Sequence, residues 1–489
     1  MDFVIPTIPW VALLPHTILG VVGTAILLVD CFLPRAQRGW LAALALAGVA
    51  AAALAVRGAG ASPAPLLGGM VVADGFARFF HLVYLMVAAL TILLSAGYLH
   101  REELEHGEYY ALILFATLGM MIMAGSLDLI TIFLGLETLS IPLYILAGFQ
   151  RTADKSNESA IKYLLLGAFA TGFFLYGVAL VYGATGTTKL EVVARALKAG
   201  GGGGILLSLG TGLLVVGLGF KVAAVPFHMW TPDVYEGAPT SVTAFMIAGT
   251  KAAAFAALLR VFFFALPSRQ ADWVPILSVL AVLTMIVGNV AAIAQQNIKR
   301  MLAYSSIAHA GYVLVALASA GRPDAIPNAA SSALFYLIVY ALMNLGAFAV
   351  IIALTERGET RLGIADFAGL GARHPFLGCA MAVFMLSLAG FPPTGGFMGK
   401  FYIFSAAVQG HQMGLAVVGV LTSVISVYYY LRVTVVMYMR EPEAEPGRGT
   451  VTPGLVLAAA VAALGTLYLG LFPARWWELA QQSVKALLG

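Results

Sequence analysis

Residues 127–149 read LDLITIFLGLETLSIPLYILAGF, an apolar run with Asp128 at its edge and a second acid, Glu137, near its middle. Its length is close to the roughly 20 residues a helix needs to cross a bilayer. Similar runs recur along the 489-residue chain. They predict about fourteen spans, near 10–33, 40–56, 74–98, 108–125, 127–149, 159–183, 205–229, 239–266, 272–294, 300–320, 326–355, 374–404, 411–439 and 452–472. The predicted fold is an all-α polytopic membrane protein. Open sheet edges cannot face lipid, because their backbone groups go unsatisfied. The runs are also too continuous for the alternating strands of a barrel.

Composition points the same way. The chain is 61% hydrophobic and 10% charged, against about 25% charged in soluble proteins. The net charge of +4 comes from loop residues and marks no nucleic-acid face. Cys31 and Cys379 stand far apart, without iron–sulfur or zinc spacing. The first 30 residues hold Asp2 and no basic residue before a long span, which predicts a retained anchor and not a cleaved leader. Residues 184–204 are polar and end in five glycines, Gly200 to Gly204, so they read as a flexible loop. Residues 440–450 form a second polar link, and Trp476 and Trp477 after Pro473 read as interfacial anchors. Lys and Arg are weakly biased toward one set of loops, which favours both chain ends outside.

Charges inside the apolar runs carry the functional signal. Of nine lysines, Lys162, Lys221, Lys251 and Lys400 fall within spans, as does Glu137. Each costs roughly 2.5–3.5 kcal/mol at mid-bilayer on insertion scales. Such groups persist where they pair, face water or carry protons. Lys162 lies near the start of its span, where snorkelling to the interface is the competing reading. For Glu137 the competing reading is a structural ion pair. Lysine suits proton transfer because burial lowers its ordinary value of about 10.4, while a nearby carboxylate opposes that shift. Changing a carboxylate–lysine distance therefore switches the lysine between holding and releasing a proton.

Two spans are interrupted beside these lysines. Pro226 and Pro232 follow Lys221, and Pro392, Pro393, Gly395 and Gly396 precede Lys400. Proline removes a backbone donor, and the freed carbonyls need water or side-chain partners. His309 is a further candidate relay, and His228 a relay or capping group. Leu166–Ala170 and Leu345–Ala349 share the letters LGAFA, and the same spacing carries Lys221 onto Lys400. That hints at duplicated halves, a common transporter plan. No phosphate loop, dinucleotide fingerprint or nucleophile–base pair is present.

At four motifs the chain resembles the antiporter-like membrane subunits of respiratory complex I, the proton-pumping NADH:quinone oxidoreductase. They are FLGLETLSIPLYILAGF at 133–149, GFKVAAVPFHMWTPDVYEGAPTSVTAF at 219–245, NIKRMLAYSSIAHAGY at 297–312 and GFPPTGGFMGKFY at 390–402. The resemblance covers roughly residues 107–438, and a lysine in the twelfth span fits the N-type and L-type branches better than the M-type. It implies two inverted five-helix repeats, spans 4–8 and 9–13, with the seventh and twelfth broken. It divides the chain into 1–106 (three leading helices), 107–266 and 267–439 (the repeats) and 440–489 (a last helix and interfacial tail). It gives Glu137 and Lys221 as an ion pair with Lys162 beside them, Lys251 as the link between halves, and Lys400 in the second half with His309 between. It implies no cofactor in this subunit, with NADH, FMN, iron–sulfur clusters and quinone belonging to the rest of the complex. The implied partners are an M-type subunit, a small K-type subunit and the lipid of a bacterial inner membrane, with no nucleic acid. The competing class is a subunit of an independent Mrp-type cation/proton antiporter.

Overall fold

A computed structural model describes residues 9–34, 37–200, 204–441 and 451–488. The helices are α1 (Trp10–Asp30), α2 (Gly39–Gly58), α3 (Gly75–Arg101), α4 (Gly107–Gly125), α5 (Leu129–Ala147), α6 (Asp154–Thr185), α7 (Leu190–Lys198), α8 (Ile205–Val222) and α9 (Trp230–Gly237). They continue as α10 (Thr240–Ala265), α11 (Gln270–Ile293), α12 (Ile298–Ala318), α13 (Ile326–Leu354), α14 (Pro375–Ala389), α15 (Gly395–Gln409), α16 (Met413–Met439), α17 (Pro453–Leu471) and α18 (Ala474–Leu488). Among the described residues, 13 helical stretches are long and apolar enough to cross a membrane. The expected span at 374–404 is instead two pieces, α14 and α15, of 15 residues each.

Three differences from the sequence reading stand out. The stretch 184–204 contains the amphipathic helix α7, which buries Leu190 and Val193; Gly201 to Gly203 lie outside the described residues. The link between α2 and α3 folds into a hairpin, β1 (Ser62–Leu66) with β2 (Val71–Ala73) antiparallel. The tail is the helix α18, which buries Ala480, Val484 and Leu487 and stacks Trp477 on Tyr402 at 4.1 Å. Most of the 440–450 link lies outside the described residues.

Lipid is as apolar as leucine, so membrane helices associate by close packing of small residues. A Cβ on Gly119 of α4 would stand 2.4 Å from the Leu139 nitrogen of α5, so only glycine allows that approach. α10, α12 and α13 are buried over almost their whole length, whereas α1, α6 and α17 expose most of theirs. The polar residues that matter below sit on or against the three central helices.

Both interruptions fall where the prolines predict them. α8 stops at Val222 and the chain resumes as a helix at Trp230. The Val225 N–H donates to Thr284 Oγ1 of α11 at 2.9 Å, so a side chain replaces a lost helical partner. α14 ends at Gly390, whose φ of 93° suits glycine, and the Gly396 N–H at the start of α15 donates to Ser387 Oγ at 3.0 Å. Lys221 lies before its break and Lys400 after its own. The shared spacing that maps one lysine onto the other therefore does not superpose the breaks, and the two lysines are not positional equivalents.

Candidate functional site

Lys221 ends the first half of the broken span and is 3% exposed. Its Nζ donates to Ser140 Oγ of α5 at 2.8 Å and to Tyr163 Oη of α6 at 3.0 Å. It also lies 5.0 Å from the centre of the Tyr163 ring and 5.8 Å from that of Tyr144, within cation–π range. Trp230, the first residue after the break, stacks on Tyr163 at 4.6 Å and donates its indole N–H to the Phe220 carbonyl at 3.0 Å. One aromatic thus adds a second donor to a carbonyl that the Ala223 N–H already caps at 3.0 Å, and fixes a lysine partner. A cavity of about 10 Å³ touches Lys221, Ser140, Tyr144 and Thr171, on the scale of one water molecule.

Glu137 stands three residues before Ser140 on α5, but no carboxylate among the described residues comes within 4.0 Å of Lys221. Glu137 and Lys221 are therefore not in salt-bridge contact: Ser140 meets the ammonium, and Glu137 acts on it through charge at longer range. The reason is helix phase. Leu134 and Ile141 are exposed, and Glu137 lies half-buried on that same stripe, while Leu136, Leu139 and Ser140 turn inward. Glu137 Oε1 is buried without a hydrogen-bond partner.

Lys162 also departs from expectation. It is more than a third exposed and pairs with Glu158 and Asp233, both at 2.6 Å. Asp233 and Glu236 of α9 bind Arg300 of α12, each at 2.9 Å, and Glu236 reaches Lys155 at 3.1 Å. Burial pushes the Asp233 carboxyl up, but Lys162 and Arg300 outweigh that and hold it below the ordinary range. Lys162 thus belongs to a partly wet network tying α6, α9 and α12.

Lys251 of α10 is 1% exposed and donates to the Ser306 carbonyl of α12 at 2.5 Å. It follows a π-helical stretch, Met246–Thr250, a local widening that recurs at functional sites. Three buried hydroxyls near it, those of Tyr235, Ser306 and Tyr340, face one another, with Ser306 between the two tyrosines and none in close hydrogen-bond geometry. Ser305, Ser306, His309 and Tyr312 recur at helical spacing along α12. His309 Nδ1 meets Tyr336 Oη at 2.5 Å and Nε2 meets Tyr430 Oη at 2.9 Å, while Tyr430 also bonds Ser305 Oγ. The His309 ring packs 5.3 Å from Tyr340 and 5.5 Å from Tyr312, centre to centre.

Lys400 lies 5.0 Å from the Tyr312 ring centre on the other side. Its Nζ donates to the Leu388 and Ala389 carbonyls at 2.9 and 3.0 Å and to Ser423 Oγ at 2.8 Å. It thereby caps the carbonyl end of α14, where the helix dipole favours a cation. A contact chain runs from Lys251 through Ser306, Tyr340, His309 and Tyr312 to Lys400. Between Lys221 and Lys251 the contacts are aromatic: Tyr163 on Trp230, and Trp230 on Tyr235 at 5.6 Å. Half-buried His228 joins neither chain, and its Nδ1 has no hydrogen-bond partner.

Two buried ionic centres escaped the sequence reading. Arg260 pairs with Asp74 through both Nη atoms at 2.7 and 2.8 Å, donates Nε to the Ala124 carbonyl at 2.8 Å and lies over Phe76. Its signal was present, as an arginine in the apolar run AFAALLRVFFFAL. Lys299 pairs with Glu359 at 2.7 Å and donates to the Ala238 carbonyl at the same distance. Glu359 also accepts from Tyr98 Oη and the Thr240 N–H, both at 2.6 Å. Burial pushes this loop carboxyl up, but Lys299 and the other donors hold it below its ordinary value.

Glu359→Gln is expected to cost about 2 kcal/mol at neutral pH, through loss of charge-assisted bonds. The folded value lies below the unfolded one of about 4.3. The stabilisation is therefore full above that value and disappears as pH falls through the depressed one. Thermal denaturation in detergent should show the gap from wild type widest near pH 7 and closing in acid.

Among the described residues, no cluster of three or more His, Cys, Asp or Glu side chains forms a metal site. Residues 126–426 match the family model described as NADH:quinone oxidoreductase/Mrp antiporter, transmembrane. The chain is 52% identical over 476 residues, 97% of each chain, to NADH-quinone oxidoreductase subunit N of Trichlorobacter lovleyi. It is 47% identical over 492 residues, 99% of each, to the subunit N of Chloroflexus aggregans. A chain of respiratory complex I from Thermus thermophilus with bound aureothin superposes with a TM-score of 0.81 at 40% identity, covering 96% of this chain and 99% of that one. With a matched core that holds Glu137, Lys221, Lys251, His309 and Lys400, and full-length relatives named as subunit N, this chain belongs to the NADH:quinone oxidoreductase/Mrp antiporter transmembrane family.

Proposed function

We propose that this chain is the N-type proton-translocating subunit in the membrane arm of an NADH:quinone oxidoreductase, in a bacterial inner membrane. Quinone reduction elsewhere in the complex drives it, and NADH, FMN, iron–sulfur clusters and quinone stay with other subunits. An M-type antiporter-like subunit and a small K-type subunit flank it. The observation that carries this reading is the buried line from Lys251 through His309 to Lys400, whose two ammonium groups rest on carbonyl oxygens, a hydroxyl and an aromatic face.

Each ammonium on this route is held by neutral groups. Protonation is then set by what approaches: a carboxylate favours the charged form and its withdrawal favours release. Glu137, with an unpartnered oxygen three residues from Ser140, is the acid placed to act on Lys221 in this way. A neutral imidazole donates through one ring nitrogen and accepts through the other. Between Tyr336 and Tyr430, His309 is therefore held to accept a proton on one side and give one up on the other. The buried hydroxyls near Lys251, none in close hydrogen-bond geometry, are the kind that ordered water satisfies, and such water would complete the path. Lys162 stands outside this line and acts as a strut between α6 and α9.

An independent Mrp-type antiporter is the second reading, because the family model spans both classes. Lysines repel metal cations, which favours protons as the transported ion. Native purification separates the two readings. The proposal expects the chain to travel with flavin and iron–sulfur subunits, and NADH oxidation in resealed vesicles to move protons. Isolation without redox partners, together with sodium–proton exchange, would overturn it.

A further inference from the structure

A cleft of about 320 Å³ lies among α1, α2, the β1–β2 hairpin, α3 and α4, away from the lysine line. That is the size range of a ligand pocket. Its walls are apolar, with Val56, Leu67 and Met121 among them. Yet two buried polar atoms of its lining residues, Arg78 Nε and Thr131 Oγ1, have no hydrogen-bond partner, while His16 faces the Met121 carbonyl. Buried polar groups are normally satisfied, so two orphans around one apolar cleft point to an occupant with polar atoms.

The mouth is cationic. Arg57 sits in the last turn of α2 and Arg78 in the first turn of α3, which places both at one membrane boundary. Among the described residues, no carboxylate lies within 4.0 Å of either. Arg78, a lining residue, reaches the Arg57 main-chain carbonyl with Nη2 at 3.5 Å, so the end of α2 that carries Arg57 borders the cleft. At the lip, Leu67 and Leu134 are exposed. An unpaired arginine couple at the headgroup level above an apolar slot matches a molecule with an anionic head and a hydrocarbon tail.

We propose that this cleft binds an anionic phospholipid, its phosphate on Arg57 and Arg78 and one acyl chain against Val56, Leu67 and Met121. Guanidinium groups bind phosphate oxygens in paired hydrogen bonds. Thr131 supplies a hydroxyl donor for an ester carbonyl oxygen of the lipid backbone, and His16 is a further wall of the cleft. His81 is already bonded to the Met121 carbonyl at 2.9 Å and serves as wall.

The test uses the protein as extracted with its bound partners and reconstituted into vesicles. Phosphatidylglycerol or phosphatidylcholine, each with a diazirine on one acyl chain, is photolysed, and the labelled peptides are mapped. The proposal expects labels on the segments holding His16, Val56, Met121 and Thr131, with phosphatidylglycerol ahead by about thirtyfold for two arginines. In R57Q/R78Q, labelling by phosphatidylglycerol falls to the phosphatidylcholine level. Equal labelling of wild type by the two lipids, or no label on these segments, would overturn it. So would a cross-link showing another protein's helix in the cleft, or unchanged selectivity in the double variant. If the double variant does not accumulate, the wild-type comparison decides alone.

Discussion

Lys221→Met, built into the assembled complex, is expected to cut protons moved per NADH oxidised by about tenfold or more. Methionine fills a similar volume, so the packing of Tyr144, Tyr163 and Trp230 around position 221 has little reason to change. What disappears is the titratable group that Ser140 and Tyr163 now hold. Lys221→Arg sharpens the case. A guanidinium keeps the positive charge over the Tyr163 ring but stays protonated at any working pH. If Lys221 served only as a structural cation, arginine would restore function. The relay account expects arginine to fail as severely as methionine. Proton uptake and NADH oxidation are read together in proteoliposomes, and subunit content is measured in the same preparation.

Arg260→Met is expected to destabilise the protein by about 3–5 kcal/mol, because it strands the buried Asp74 carboxylate. Asp74 caps α3 through the Ala77 N–H at 2.8 Å while binding both Nη atoms of Arg260. Arg260 also satisfies the Ala124 carbonyl near the end of α4. One guanidinium therefore joins α3, α4 and α10, from the first residue of a π-helical stretch, Arg260–Ala265. Asp74→Asn should fall between wild type and Arg260→Met, since asparagine keeps one acceptor for the arginine and one for the cap. The double variant Asp74→Leu/Arg260→Met should cost much less than the two single changes added together, because no buried charge is left alone. Thermal denaturation in detergent reads all three.

The sequence reading reached deepest where the physics is local. A charge inside an apolar run is costly wherever it sits, so Lys221, Lys251 and Lys400 were legible as buried, and they are 1–4% exposed. The breaks were legible because proline removes a donor whatever the tertiary fold does. Relations between helices were not legible. Whether Glu137 meets Lys221 depends on the rotation of α5 against α8, and there the serine three residues on takes the contact. Whether Lys162 is buried depends on where α6 crosses the interface, and Asp233 and Glu158 hold it at the edge. Of the tyrosines that surround His309, Tyr336 and Tyr340 come from the next helix and Tyr430 from one 121 residues on. An apolar run gives no cue to their convergence. Glu359 reads as a plain loop acid until the fold brings Lys299, Tyr98 and Thr240 to it.

The most direct measurement is the ratio of protons translocated to NADH oxidised, in proteoliposomes carrying Lys251→Met, with subunit content matched to wild type. Lys251 is the buried lysine that begins the line to Lys400, and its only hydrogen bond among the described residues is to the Ser306 carbonyl. The account predicts a fall in this ratio while quinone reduction persists with the membrane potential dissipated. An unchanged ratio in a fully assembled complex would contradict it.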